Sequence, residues 1–282
     1  MLAVERVLPS VGEGPAIVLN TLKPVEMKVK GLYYGLWGKG KTSFVASAMK
    51  RFRTLWLLTA TEEDQSRPSI IRAAQRLGMD PSKEVFIITI DSKDRMEAAI
   101  NWMYQHVNEG TFPFDHVALD GLTDLQRIYR RDILRKAPTF YRDRHKRNME
   151  VLEEGEWGWL QNATEFTLQQ LLALPVHVSV TAQMMDKFGV GNLPAVQPRG
   201  FQASIGGFFN TVAAVVTREI PVPKDDEDME PEMRTVRALV TSPIPGEAEV
   251  TKNPQGLLPP IIEIGDETLA DIFDMIAGGE TE

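Results

Sequence analysis

Cysteine is absent from the 282 residues, so neither a disulfide nor a thiolate-held metal centre is available. Histidine is scarce: His106, His116, His145 and His177 stand apart, without the spacing of a metal site. No apolar run approaches a membrane span. The opening residues, with Glu5, Arg6 and Pro9, do not read as a secretory signal. These absences lead to the expectation of a soluble cytoplasmic protein with no membrane partner. Positive charge is also in deficit, at a net −8, which excludes a generally basic nucleic-acid binder and leaves room only for a local basic patch. What is present, 43% hydrophobic and 25% charged residues, suffices for one large α/β domain or one domain with a small appendage.

The most informative stretch is Gly35-Leu36-Trp37-Gly38-Lys39-Gly40-Lys41-Thr42, which fits G-x-x-x-x-G-K-[ST], the phosphate-binding P-loop. Gly35, Gly38 and Gly40 are expected at positive φ, so that successive N–H groups, with those of Lys39 and Ser43, line one anion-sized hollow. Lys41 supplies a point charge for β- and γ-phosphates, and the Thr42 hydroxyl is a ligand for Mg²⁺. The alternative is a chance match in a Gly-rich turn. Context favours the phosphate reading: Val29–Tyr34 suits a strand before the loop, and Thr42–Arg53 a helix after it.

Downstream, apolar strands alternate with amphipathic helices. Strands are expected at Thr54–Ala60, Val85–Ile90 and His116–Leu119, and helices at Ser69–Leu77 and Ser92–Asn108, the latter capped by Ser92 and followed by Gly110. This order implies an α/β fold with a mostly parallel central sheet and helices on both faces. Asp120 follows an apolar strand directly, the place of a second Mg²⁺-associated carboxylate; capping the next helix is the alternative role. Glu62 and Glu63 close another strand, where a carboxylate can orient an attacking water or belong to a solvated turn. Gln183 ends the apolar run Val176–Ala182 and can sense a γ-phosphate, whereas His177 within it reads as a core histidine. Met184–Ala203 lacks periodicity and reads as a long functional or disordered loop. Short strands are expected at Val212–Thr217, Arg234–Thr241, Ala248–Thr251 and Ile261–Ile264, and a closing helix at Asp266–Ala277.

One segment departs from the acidic average. From Leu122–Ala137, expected as a helix, the chain runs through Arg135, Lys136, Arg142, Arg144, Lys146 and Arg147, with Tyr129, Phe140 and Tyr141 interleaved. Cations for phosphates and rings for bases suit single-stranded nucleic acid. A solvated helix face paired with Glu153, Glu154 and Glu156 is the alternative.

Taken together, these motifs resemble the RecA-like recombinase ATPases over roughly residues 30–265. Thr61-Glu62, Arg67-Pro68 and Arg76-Leu77-Gly78-Met79-Asp80 are similar to the segment that carries their catalytic glutamate, which maps to Glu62, with one extra residue before Arg67. Asp120 resembles their second nucleotide motif, and Thr181-Ala182-Gln183 their γ-phosphate-sensing strand end. By position, Arg135–Arg147 and Met184–Ala203, with Lys187 and Arg199, correspond to their two DNA-binding loops. Thr217-Arg218 and Ser242–Glu247 resemble the eukaryotic and archaeal branch, whose Ser-Pro segment caps nucleotide on a neighbouring subunit. With no separate N-terminal helical domain and no large C-terminal one, the chain looks most like the small single-domain ATPases of bacteriophages, the Sak-type group linked to single-strand annealing. The resemblance implies a RecA-like core at 29–220, an N-terminal arm or edge strand at 1–28, and C-terminal strands and a closing helix at 221–282 on the same core. It also implies ATP and Mg²⁺ as cofactors, DNA-stimulated hydrolysis, and homologous recombination or annealing on single-stranded DNA in a bacterial host cytoplasm. A homo-oligomer with ATP between subunits, helped by a single-strand DNA-binding protein, belongs to the same expectation. Arg218 and Lys252 are candidates for the residue reaching a neighbour's site. A ring-shaped helicase-type motor and a non-catalytic, nucleotide-dependent scaffold are the alternatives.

Overall fold

The computed structural model describes residues 6–7, 18–19, 27–61, 63–140, 152–187, 191–222, 232–265 and 268–277. The first two strands, β1 (Arg6–Val7) and β2 (Val18–Leu19), pair with each other, Arg6 opposite Leu19, in a two-stranded sheet of their own. The main sheet begins with β3 (Lys30–Gly35), and α1 (Lys41–Ala46) follows it. Then come β4 (Thr54–Thr59), α2 (Glu63–Arg76), α3 (Pro81–Glu84), β5 (Phe86–Ile90), α4 (Lys93–Asn108) and β6 (His116–Asp120). Next are α5 (Leu122–Phe140), α6 (Glu154–Ala173), β7 (His177–Lys187), β8 (Gly191–Pro194) and α7 (Arg199–Ser204). The chain closes through β9 (Thr211–Val222), β10 (Glu232–Val240), β11 (Ile261–Glu263) and α8 (Leu269–Ala277).

Spatially the strands run β5-β4-β6-β7-β3-β9-β10-β11. The pairs from β5 to β9 are parallel, and β10 and β11 are antiparallel additions. The protein is thus α/β, with a mostly parallel central sheet flanked by helices. Period-two alternation assigns the two faces. Leu32 and Tyr34, Leu55 and Leu57, and Val178 and Val180 bury one face under α4, α5 and α6. Tyr33, Trp56 and Leu58 bury the other under α1, α2 and α8.

Several expectations shift. The helix after the loop is only Lys41–Ala46, continued by a 3-10 turn over Ser47–Lys50. Helix α2 starts at Glu63, six residues before the expected Ser69: Glu63 and Asp64 suit its positive end, and buried Ile70 and Ala74 carry it past Pro68. Met184–Ala203 is not one long loop. Strand β7 runs on to Lys187 and turns back through β8, with Met184 opposite Pro194, and α7 follows. Gly and Pro hid that hairpin, because its short strands lack alternation. Ala248–Thr251 forms no strand; only isolated bridges Ile244–Ala248 and Val212–Lys252 pass there.

Candidate functional site at the carboxyl edge of the sheet

The Gly35–Thr42 stretch joins β3 to α1. Gly38 and Gly40 take φ of 72° and 88°, which a side chain would strain. Gly35 corrects the expectation of positive φ: it is the last residue of a strand, and glycine is needed because a Cβ there would strike the Val215 carbonyl of the neighbouring strand.

Register brings the polar residues together. Gly35 lies opposite Gln183 in the β3–β7 ladder, while β6 flanks β7 on its other side. Asp120, at the end of β6, is therefore separated from the loop by one strand, and α1 spans that gap. The Thr42 hydroxyl donates to Asp120 Oδ2 at 2.9 Å, and the Thr181 hydroxyl donates to Asp120 Oδ1. The carboxylate is 1% exposed, so these two donors stabilise a charge that burial alone would penalise. Lys41, 7% exposed, donates from Nζ to the carbonyls of Gly35 at 2.8 Å and Leu36 at 3.0 Å, and lies 3.4 Å from Gln183 Oε1. The Gln183 N–H donates to Thr123 Oγ1 at 3.0 Å, and Thr123 donates in turn to the Ala195 carbonyl at 2.9 Å, which ties the strand end to α5 and the hairpin.

These groups face one cavity of about 420 Å³, lined by Lys41, Thr42, Ser43, Asp120, Gln183 and Arg237, among others. Its lining sets an ammonium and a guanidinium beside a carboxylate and hydroxyls, groups that suit an anion next to a hard cation. One hydroxyl and one carboxylate are hard oxygen donors of the kind that suit Mg²⁺ together with phosphate and water. Among the described residues, no group of three His, Asp or Glu could hold a metal by protein ligands alone.

Of the expected site residues, Gly38, Gly40, Lys41, Thr42, Ser43, Asp120 and Gln183 line this cavity. Lys39 is half-buried in the same loop. Glu62 lies outside the described residues. Glu63 belongs to α2, where hydrogen bonds from the Thr89 hydroxyl and the Arg67 guanidinium hold its carboxyl below the usual range, which disfavours it as a base. Of the basic residues, Arg135 and Lys136 are exposed on α5, Lys136 pairing with Asp132 at 2.9 Å, and Arg199 is exposed at the start of α7. Arg142, Arg144, Lys146 and Arg147 lie outside the described residues, and Lys187 ends β7. Glu153 and Glu156 close the amino end of α6 as a capping box.

Sequence reasoning gave no role to Thr123, Trp37 or Arg237, and named Thr181 only as part of the stretch before Gln183. Trp37, 54% exposed, lines both the 420 Å³ cavity and a second one of about 300 Å³ with Arg127, Arg130, Trp157 and Met184; Gln183 also borders both. Its position inside the loop was the one available signal. A larger cavity of about 690 Å³ lies along the edge strand β5, but it is mainly apolar, and its Arg53 stacks 4.6 Å from the Phe86 ring. Among the described residues no helix is long and apolar enough to cross a membrane. No protein-family model matches the chain and no curated protein matches it, so what the site does is read from its own geometry.

Proposed function

We propose that this chain is a RecA-like P-loop ATPase of the small phage type, which binds Mg²⁺–ATP at the carboxyl edge of its sheet and couples it to single-stranded DNA in recombination or annealing. One observation carries the reading: Lys41 and Thr42 from the helix after the loop, Asp120 from the end of β6 and Gln183 from β7 converge on one cavity. Phosphoryl transfer asks little covalent chemistry of a protein; it asks for positioning and charge. Lys41 neutralises the β- and γ-phosphates. Thr42 and Asp120 would hold Mg²⁺, which would supply positive charge against the negative charge that develops on the phosphates. Glu62 orients the attacking water, and Gln183 relays γ-phosphate occupancy into the β7–β8 hairpin that leaves the site. Arg135, Lys136 and Arg199, exposed on the α5 and α7 sides, offer cations to a DNA backbone. Self-association with ATP at the contact, and a single-strand DNA-binding protein as helper, complete the proposal. Arg218 and Lys252 remain the candidates for reaching a neighbour; within the chain Arg218 pairs with Glu247 at 3.3 Å and Lys252 donates to the Phe209 carbonyl at 2.6 Å, contacts that such a reach would exchange.

The test is ATP hydrolysis measured without DNA, with duplex and with single strands. Mg²⁺-dependent turnover, stimulated most by single strands, is expected. Lys41→Ala should abolish it, and Glu62→Gln should keep ATP binding while slowing turnover. Binding without turnover would point to a nucleotide-dependent scaffold, and no binding at all would overturn the reading.

A further inference from the structure

We infer that Arg237, on the antiparallel strand β10, is a phosphate-binding residue of the carboxyl-edge site, contributed by the same chain. The inference rests on reading that cavity as a Mg²⁺–nucleoside triphosphate site and names a residue that reading did not include.

Three observations carry it. First, Arg237 lines the cavity with Lys41, Thr42 and Asp120. Its contact with the loop is close: a Cβ built on Gly40 would lie 2.6 Å from Arg237 Nη1 and 3.3 Å from Arg237 Cδ. Gly40 therefore serves two needs, a positive φ and room for a guanidinium. Second, strand register explains the placement. Strand β9 pairs with β3 up to Tyr34, opposite Ala214, and then runs on. Arg237 pairs with Thr217, three residues beyond Ala214 and so about 10 Å past the end of that pairing at the usual rise per residue. The β9–β10 ladder thus overhangs the loop, and Arg237 points from the overhang. Third, its charge is uncommitted. Among the described residues Arg237 has no carboxylate partner, whereas Arg234 on the same strand pairs with Glu263 at 2.8 Å and Arg218 on the facing strand with Glu247. An exposed guanidinium without a counter-ion beside a buried ammonium raises the positive potential of the cavity, and its planar fork suits two phosphate oxygens at once. The ligand class is accordingly the polyphosphate part of a nucleotide rather than its base.

The experiment is calorimetric binding of Mg²⁺–tripolyphosphate and of Mg²⁺–ATP to the full chain. Tripolyphosphate has no base, so it isolates the phosphate contacts. Arg237→Gln should weaken both ligands about ten- to hundredfold, the range of one charge-assisted contact. Arg237→Lys should recover part of the loss, and Arg234→Gln should bind within about twofold of the parent. Labelling of Arg237 by phenylglyoxal in the unaltered chain gives a second readout that needs no variant: Mg²⁺–tripolyphosphate should block it. Full affinity in Arg237→Gln, or labelling undiminished by the ligand, overturns the inference; if Lys41→Ala has meanwhile lost binding, the nucleotide reading stands without Arg237. If the unaltered chain binds neither ligand, both fall together.

Discussion

Two lysines flank strand β3, half-buried Lys30 at its start and buried Lys41 past the loop at its far end, and their partners are nearly alike. Lys30 donates from Nζ to the carbonyls of Leu174, at 2.6 Å, and Val176; Lys41 donates to those of Gly35 and Leu36. Burial and the neighbouring Lys28 push the Lys30 pKa down to about 8. What separates them is what lies beyond. At the amino edge the polar groups are paired and lidded: His116 sits between Thr54 and Ser179, His177 accepts from the Val29 N–H at 3.1 Å, and Phe273 of α8 stacks on His177 with ring centres 4.5 Å apart. At the carboxyl edge Lys41, Asp120 and Gln183 border open space. A buried polar group is therefore not by itself a sign of function. Polar groups that face a cavity, as Lys41 does, are the ones placed to meet a ligand.

The contrast can be broken at either end. The largest effect is expected from the amino-edge lid. Phe273→Ala, in a fully buried position, should cost about 3–5 kcal/mol in urea unfolding while ATP affinity of the folded protein stays within about twofold. Loss of nucleotide binding in the folded variant would show that the two edges are not separable. Next comes the pair of lysines: Lys41→Met should lower turnover at least about a hundredfold, the scale seen when a positioned electrostatic group is removed, and Lys30→Met should leave turnover within about twofold. Comparable losses from both would erase the distinction.

Smaller effects sharpen it. Thr181→Val removes one of the two hydroxyls on Asp120 and should raise the Mg²⁺ concentration needed for half-maximal turnover about tenfold, as expected for a partner that orients a metal ligand. At the other edge, burial first, then His177 and Lys30, lower the His116 pKa from 6.5 to about 3. Between those values the unfolded chain takes up a proton that the fold refuses, so stability falls as pH drops from 6.5 toward 3, by at most about 1.4 kcal/mol per pH unit from this group. His116→Gln should flatten that slope in chemical-denaturation curves taken across the window; an unchanged slope would assign it elsewhere.

The same division runs through what the sequence could disclose. Features set by near neighbours were legible: Ser92 does cap α4, the strand before Gly35 and the one ending at Asp120 lie where their apolar runs suggest, and His177 is a core residue. The Gly35–Thr42 spacing marked the loop because its geometry is local. Arg237 was invisible, since its place over Gly40 depends on the β9–β10 register and on how far β9 outruns β3, neither of which leaves a short-range trace. The β7–β8 hairpin was missed for a related reason: its second strand, Gly191–Pro194, has the composition of a turn and becomes a strand only beside Met184–Lys187. Helix α2 begins six residues before the expected Ser69 because Glu63–Arg67 has no apolar residue to mark a helical face, whereas the buried Ile70 and Ala74 anchor the whole helix in the fold. The reason for Gly35 was also tertiary, a neighbouring carbonyl rather than its own φ.

Amide hydrogen exchange with and without a Mg²⁺-bound, non-hydrolysable ATP analogue tests the central claim most directly. The account predicts slowed exchange across residues 36–43, at Gln183 and along β10 near Arg237, with the amides around Lys30, His116 and His177 unchanged. Saturating analogue that leaves residues 36–43 exchanging as before, or that protects the amino edge instead, would contradict it.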